Sequence, residues 1–204
     1  MTDKTPRPVT EVTLIVHLSL PYKDHEVVIT AEPHDISRSA DNGCASREES
    51  FLGDEGFHPS SRHRVVVRSG TTIVASRVLM AAGGASGVHT HSAFIRDDAC
   101  FLAVGPFVCA LELPALRLLW HACADTATCF GVYDAPGYSS LISHGELEIA
   151  RFSYSGELLW SESGRDIFSE GFELHAGHAE AIDFNGVRYR FDLQTGRSME
   201  SPGS

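Results

Sequence analysis

The stretch Gly145-Glu-Leu-Glu-Ile-Ala-Arg-Phe-Ser-Tyr-Ser-Gly-Glu-Leu-Leu-Trp160 decides the fold. It holds a glycine turn, a β-rich run, a second glycine turn at Gly156 and a strand that ends in Trp160. Its last three residues match Leu118-Leu119-Trp120, and the two tryptophans stand 160 − 120 = 40 positions apart. Without a gap, the same offset pairs Gly105 with Gly145, Ala110 with Ala150, Gly131 with Gly171 and Gly137 with Gly177. Beyond the second unit it pairs Ile142 with Ile182 and Gly156 with Gly196. A fixed period of this length, with a turn glycine and one Trp per unit, is what stacked four-stranded β-units produce.

Outward from this core, short runs rich in Val, Leu, Phe and Cys follow one another from His63 to Leu193, separated by Gly, Pro and Asn-Gly turns. The reading is all-β: tandem four-stranded antiparallel meanders of about 40 residues. No amphipathic helix emerges, because Pro114 interrupts Leu111–Cys123, the one segment apolar enough to form one. Towards the N-terminus, Glu11–Leu20 and Glu26–Ala31 read as a hairpin joined by Pro21–His25. Residues 37–61 form a long polar loop, expected to be disordered, since Phe51, Leu52 and Phe57 are its only large hydrophobes. Residues 1–10 and 197–204 read as frayed tails around a single domain over 11–196. Asn185-Gly186 between two β-rich runs is the strongest hairpin signal.

The segment Gly145–Trp160 resembles the blade motif of quinoprotein-type and WD-like β-propellers, in which glycine turns and a Trp recur in each blade. Tyr189-Arg-Phe-Asp-Leu-Gln-Thr-Gly196 is similar to the ending of the same motif, so the resemblance covers about residues 99–197. It implies a propeller-like stack with Trp120 and Trp160 as buried wedges between units. The length leaves room for about three and a half units, whereas closed propellers have about 4–8 blades. Either the N-terminal hairpin completes a small ring, or the units form an open stack that packs on itself or on a second subunit.

Composition narrows the function classes. The net charge of −11 disfavours a phosphate-binding surface, so no nucleic-acid partner is expected. No run approaches the ~20 apolar residues of a membrane span, and the N-terminus carries no apolar signal core. The five cysteines include no Cys-x-x-Cys pair and read as reduced thiols of a cytoplasmic protein.

The strongest site candidate is Gly83-Gly84-Ala85-Ser86-Gly87-Val88-His89-Thr90-His91. Alternate residues of a strand face one side, so His89 and His91 would reach one metal ion if Val88–Ala93 were extended. Counted from Gly83, the spacing resembles the opening of the first cupin motif. Where that motif continues with Glu, this chain has Ile95 and Arg96, and His121, His144 or Asp97 would have to complete the ligand set. The glycines do not form a phosphate loop, since neither Gly-x-Gly-x-x-Gly nor a Walker Lys is present. Ser86 is outside a nucleophile elbow, Cys129 lies in a strand, and the Asp97-Asp98 and Asp166–Glu170 carboxylates read as solvated turns. His175 and His178, flanking Gly177, read as a surface pair.

These readings converge on a non-enzymatic binding module for a protein or small ligand, with no catalytic residues and no cofactor. Its partner would be a second copy or another protein covering exposed strand edges. The alternative is a cupin-like enzyme holding a divalent transition metal at His89 and His91.

Overall fold

The computed structural model describes residues 17–32, 48–54 and 56–199. The expected tail 1–10, the start of the first predicted strand, residues 37–47 and 55 of the polar loop, and residues 200–204 of the second tail lie outside those residues. Sixteen strands form four sheets, and no α-helix occurs among the described residues. The first sheet contains β1 (His17–Tyr22), β2 (His25–Ala31), β3 (Glu48–Leu52), β4 (Ser61–Ser69) and β5 (Thr72–Ala81), in the order β1-β2-β4-β5-β3. The second is the meander β6 (Ala93–Arg96), β7 (Ala99–Val104), β8 (Phe107–Glu112), β9 (Arg117–Cys123). The third is β10 (Cys129–Ala135), β11 (Ser140–Gly145), β12 (Glu148–Ser153), β13 (Leu158–Ser163). The fourth is β14 (Gly171–Leu174), β15 (His178–Ile182), β16 (Arg188–Asp192). The chain is therefore all-β and propeller-like, with antiparallel meanders in the second, third and fourth sheets and a five-stranded first sheet.

Three expectations need correction. Part of the 37–61 loop is ordered structure: β3 pairs with β5 in parallel, Leu52 is fully buried, and Arg77 binds Ser50 and Glu48. Such pairing is non-local and leaves no turn signal next to the strand. Residues 197–199 fold back onto β16, with the Asp192 amide donating to Arg197 and the Met199 amide to Arg190. The units are not uniformly four-stranded, since the first sheet has five strands and the fourth three; the expected hairpin at Asn185-Gly186 does form between β15 and β16, through a loop in which Asp183 Oδ1 accepts the amides of Asn185 and Val187.

Strand alternation places core residues on both faces of the inner sheets. On β7, Cys100, Leu102 and Val104 pack toward the first sheet with Val27, Val65 and Leu79. Phe101 and Ala103, between them, pack toward the third sheet with Val132, Leu141 and Phe152. The next layer joins Ile142, Ile149 and Trp160 to Phe168, Ala179, Ala181 and Phe191. Three apolar layers thus join four sheets in series, and no such layer joins the fourth to the first among the described residues.

The 40-residue period has a specific contact behind it. Trp120 donates its indole N–H to the Tyr154 carbonyl at 3.0 Å, and Trp160 donates to Leu193 at 3.0 Å. Each ring lies against the turn glycine of the following sheet: a Cβ on Gly156 would come within 2.6 Å of the Trp120 ring, and one on Gly196 within 2.9 Å of the Trp160 ring. Both glycines adopt positive φ, which glycine tolerates without a side-chain clash. The equivalent position one unit earlier is Leu116, also at positive φ (58°), with its side chain buried in the first apolar layer. The sheet before it carries Met80 where Trp would stand, and the side chain at position 116 supplies apolar volume of its own.

Candidate functional site

The glycine-rich segment after β5 crosses the stack rather than extending from it. Gly84 donates its amide to Ala127 at 3.0 Å, and a Cβ there would overlap Thr128. Ser60 and Ser61 hydroxyls donate to the Gly84 carbonyl. The glycines are thus explained by close backbone approach.

His89 and His91 do not lie on an extended strand. The Ser92 amide donates to the His89 carbonyl at 3.0 Å, closing a turn, so the alternate-residue argument fails where it was applied. His89 Nε2 sits 2.7 Å from the Phe130 carbonyl, and its Nδ1 accepts the His91 amide at 3.2 Å. One neutral tautomer satisfies both contacts, with the proton on Nε2 and the Nδ1 lone pair already used. His91 stacks on Tyr133 with centroids 4.7 Å apart, and Tyr133 leans on Phe172, which stacks on His144. Burial, helped by His89 and His91, pushes the His144 imidazole down to about 4, opposed by its contact with the Phe168 carbonyl. These histidines join sheets through aromatic contacts. Neither His121 nor Asp97 belongs to a group of three convergent ligands; among the described residues one such group exists, His175, His178 and Glu180.

The other sequence candidates have structural partners. Ser86 Oγ accepts the Gly105 amide at 2.7 Å, and His63 Nε2 lies 3.1 Å from the Ser86 carbonyl. Asp98 accepts Tyr22 Oη and Lys23 Nζ, each at 2.6 Å, and Lys23 holds its carboxyl below the usual range. This contact ties the first hairpin to the β6–β7 turn. Asp166 accepts the Asn185 side-chain amide at 2.6 Å. Cys129 is buried, and burial raises its thiol far above neutral pH.

What does open to solvent is a cleft of about 580 Å³ between the ends of the first and second sheets. Leu52, Phe57, Pro106 and Phe107 give it apolar walls, while Asp54, His58 and Cys123 add polar groups. Gly53, at φ 87°, lets the Phe107 ring lie on the chain, since a Cβ would meet it at 2.5 Å. Asp125 also lines the cleft, but its carboxylate accepts the amides of Ala127, Leu147 and Glu148 at 2.6–2.8 Å. The Cys123 thiol donates to the Asp125 carbonyl, and the partial desolvation of this otherwise exposed residue raises its pKa, so it is not an activated nucleophile. Across Thr126 the cleft adjoins a second hollow of about 400 Å³ lined by Leu147, Glu148, Arg165, Asp166 and Ile167. Phe57, in the cleft wall, is 64% exposed, as is Phe184, whose amide donates to the carbonyl of Ile167 in the second hollow. The cleft escaped the sequence reading because its walls come from four separate segments.

No protein-family model and no curated protein sequence matches the chain. Among solved structures it is similar to the computationally designed Ika4 protein, with a TM-score of 0.46, 10% identity, and coverage of 56% of this chain and 74% of that one. It is also similar to the WD40 β-propeller domain of Doa1, with a TM-score of 0.45, 10% identity and coverage of 67% of this chain. The chain spans 46% of that protein, about half its length. No helix among the described residues is long and apolar enough to cross a membrane.

Proposed function

We propose that this protein is a non-enzymatic interaction module that seats apolar side chains of a partner protein in the cleft between its first and second sheets. The observation carrying this reading is the solvent-open cleft walled by Leu52, Phe57, Pro106 and Phe107, continuous at Thr126 with the neighbouring hollow. A concave site with apolar walls and few polar groups is the usual form of a binding pocket. A Phe exposed to the extent of Phe57 gains most from a partner that covers it. The acidic groups along the surface (Asp54, Glu148, Asp166) favour a segment with Lys or Arg beside its apolar anchors.

Selection of displayed random peptides on the full chain tests this reading. Peptides with aromatic or aliphatic anchors next to basic residues should be enriched, and their binding should fall at least about tenfold in Phe57→Ser. Enriched peptides that bind Phe57→Ser and Phe107→Ala as well as the parent would refute the assignment.

A further inference from the structure

We infer that the β14–β15 hairpin carries a binding site for a transition-metal dication of the zinc, nickel and copper class, with His175 and His178 as imidazole ligands and Glu180 as the carboxylate. This site lies on the fourth sheet, apart from the cleft, and does not depend on the interaction proposed there.

The hairpin brings the three groups together. His175 and His178 bracket the Ala176-Gly177 turn, and the His175 amide donates to the His178 carbonyl at 2.9 Å. Their rings stack with centroids 4.4 Å apart and planes 19° from parallel. Glu180 is two residues beyond His178 on β15 and so shares its face. One ligand atom from each residue lies within 4.8 Å of the others. Modest rotation of two partly exposed imidazoles brings such a set to the ~2.0–2.1 Å that a bound zinc ion requires of its nitrogen ligands.

Three further features fit ligation. The Nε2 atoms of His63, His89 and His144 face backbone carbonyls, whereas no protein group among the described residues hydrogen-bonds to a ring nitrogen of His178. His175 Nε2 lies 3.5 Å from Glu173 Oε2, a carboxylate placed to orient the ring from outside the ligand set. Glu180 is 6% exposed and fixed by Arg188 on one oxygen and Arg190 on the other, so its direction is set. Each carboxylate oxygen keeps a further acceptor position. The two guanidinium groups oppose any dication, so the imidazoles must carry the affinity. Mg²⁺ and Ca²⁺, which rely on oxygen ligands, are therefore excluded, and metals suited to imidazole are selected.

Calorimetric titration of the tag-free full chain with ZnCl₂ and NiCl₂, with MgCl₂ as control, tests the site. One ion per chain should bind with a Kd of roughly 10 µM, and Mg²⁺ should give no heat of binding. His175→Ala and His178→Ala should each weaken binding at least about tenfold, while His121→Ala, on a different sheet, should leave it unchanged. Cu²⁺ titration followed by proton NMR is an independent readout on the unaltered protein: the His175 and His178 ring signals should broaden first. No saturable binding below ~1 mM, unchanged affinity in the folded His175→Ala/His178→Ala protein, or broadening centred on other histidines would each overturn the inference.

Discussion

The indole of Trp120 stands directly over the α-carbon of Gly156, the turn glycine of the next sheet, and hydrogen-bonds two residues before it at Tyr154. Trp160 repeats the arrangement on Gly196 one sheet further on. The matched offset in the sequence is the trace of a contact between consecutive sheets: each Trp is read together with a glycine 36 positions later (156 − 120 and 196 − 160). Glycine is favoured there by a positive φ and required by the ring that occupies the place of a Cβ.

Gly156→Ala should therefore destabilise the fold by ~2 kcal/mol or more, combining left-handed strain with displacement of the indole. Trp160→Ala should cost ~3–5 kcal/mol through the cavity left behind, and Trp120→Ala, at the less buried site, should cost less. Urea denaturation followed by circular dichroism measures all three; a Gly156→Ala protein as stable as the parent would contradict the contact.

Asp125 is the second joint between sheets. It is 1% exposed and its carboxylate takes three amides, two of them from the β11–β12 turn. Asp125→Ala strands those donors and should cost ~3 kcal/mol or more, while Asp125→Asn, which keeps one acceptor oxygen, should cost less. Equal midpoints for the two variants in urea would show that the carboxylate is not needed.

Acid should loosen the interface between the third and fourth sheets. His144 titrates at about 4 in the folded protein and near 6.5 when unfolded. Between those values the unfolded chain holds a proton that the folded chain does not, so stability falls as pH drops through this window and levels off near pH 4. The loss from this residue is at most about 3 kcal/mol. Burial shifts His63 in the same direction and adds to the slope. His144→Gln, whose amide can still donate to the Phe168 carbonyl, should show a shallower loss between pH 6.5 and 4 in urea titrations; an unchanged pH dependence would argue against His144 as its source.

The four described cysteines are free thiols with very different access. Burial pushes the Cys100 thiol up to about 12 and those of Cys109 and Cys129 well above neutral, whereas Cys123 is exposed at the cleft. In a Cys44→Ser background, iodoacetamide at neutral pH should alkylate Cys123 in the native protein and the other three only after unfolding. Peptide mapping by mass spectrometry reads the order directly. A native-state disulfide, or early labelling of Cys100, would contradict it.

The meanders of the second and third sheets were legible because their information is local. Glycine and proline turns punctuate them, and each Trp marks a strand that packs on a neighbour a fixed distance along the chain. β3 was not legible, since its parallel partner β5 lies 29 residues away, counted from Glu48 to Arg77. The four-residue β6 is too short to show a period of its own. The expected extended backbone at His89 and His91 is absent for a related reason: alternate spacing implies a shared face only on a strand, and this segment turns, with the Ser92 amide on the His89 carbonyl and the His89 ring on the Phe130 carbonyl.

The sequence alone determined the all-β class, the repeat and the packing of both tryptophans between sheets, Trp160 buried and Trp120 half-buried, because turn chemistry and strand alternation act over a few residues and recur. Tertiary structure alone decided which chemistry-bearing groups meet. The cleft assembles Leu52, Phe57, Pro106, Phe107 and Cys123 from separate segments. His175, His178 and Glu180 converge through the hairpin register, while its neighbouring strand supplies the two arginines that fix Glu180. Side-chain convergence depends on register and packing between strands, and neither is encoded in the spacing of any single segment.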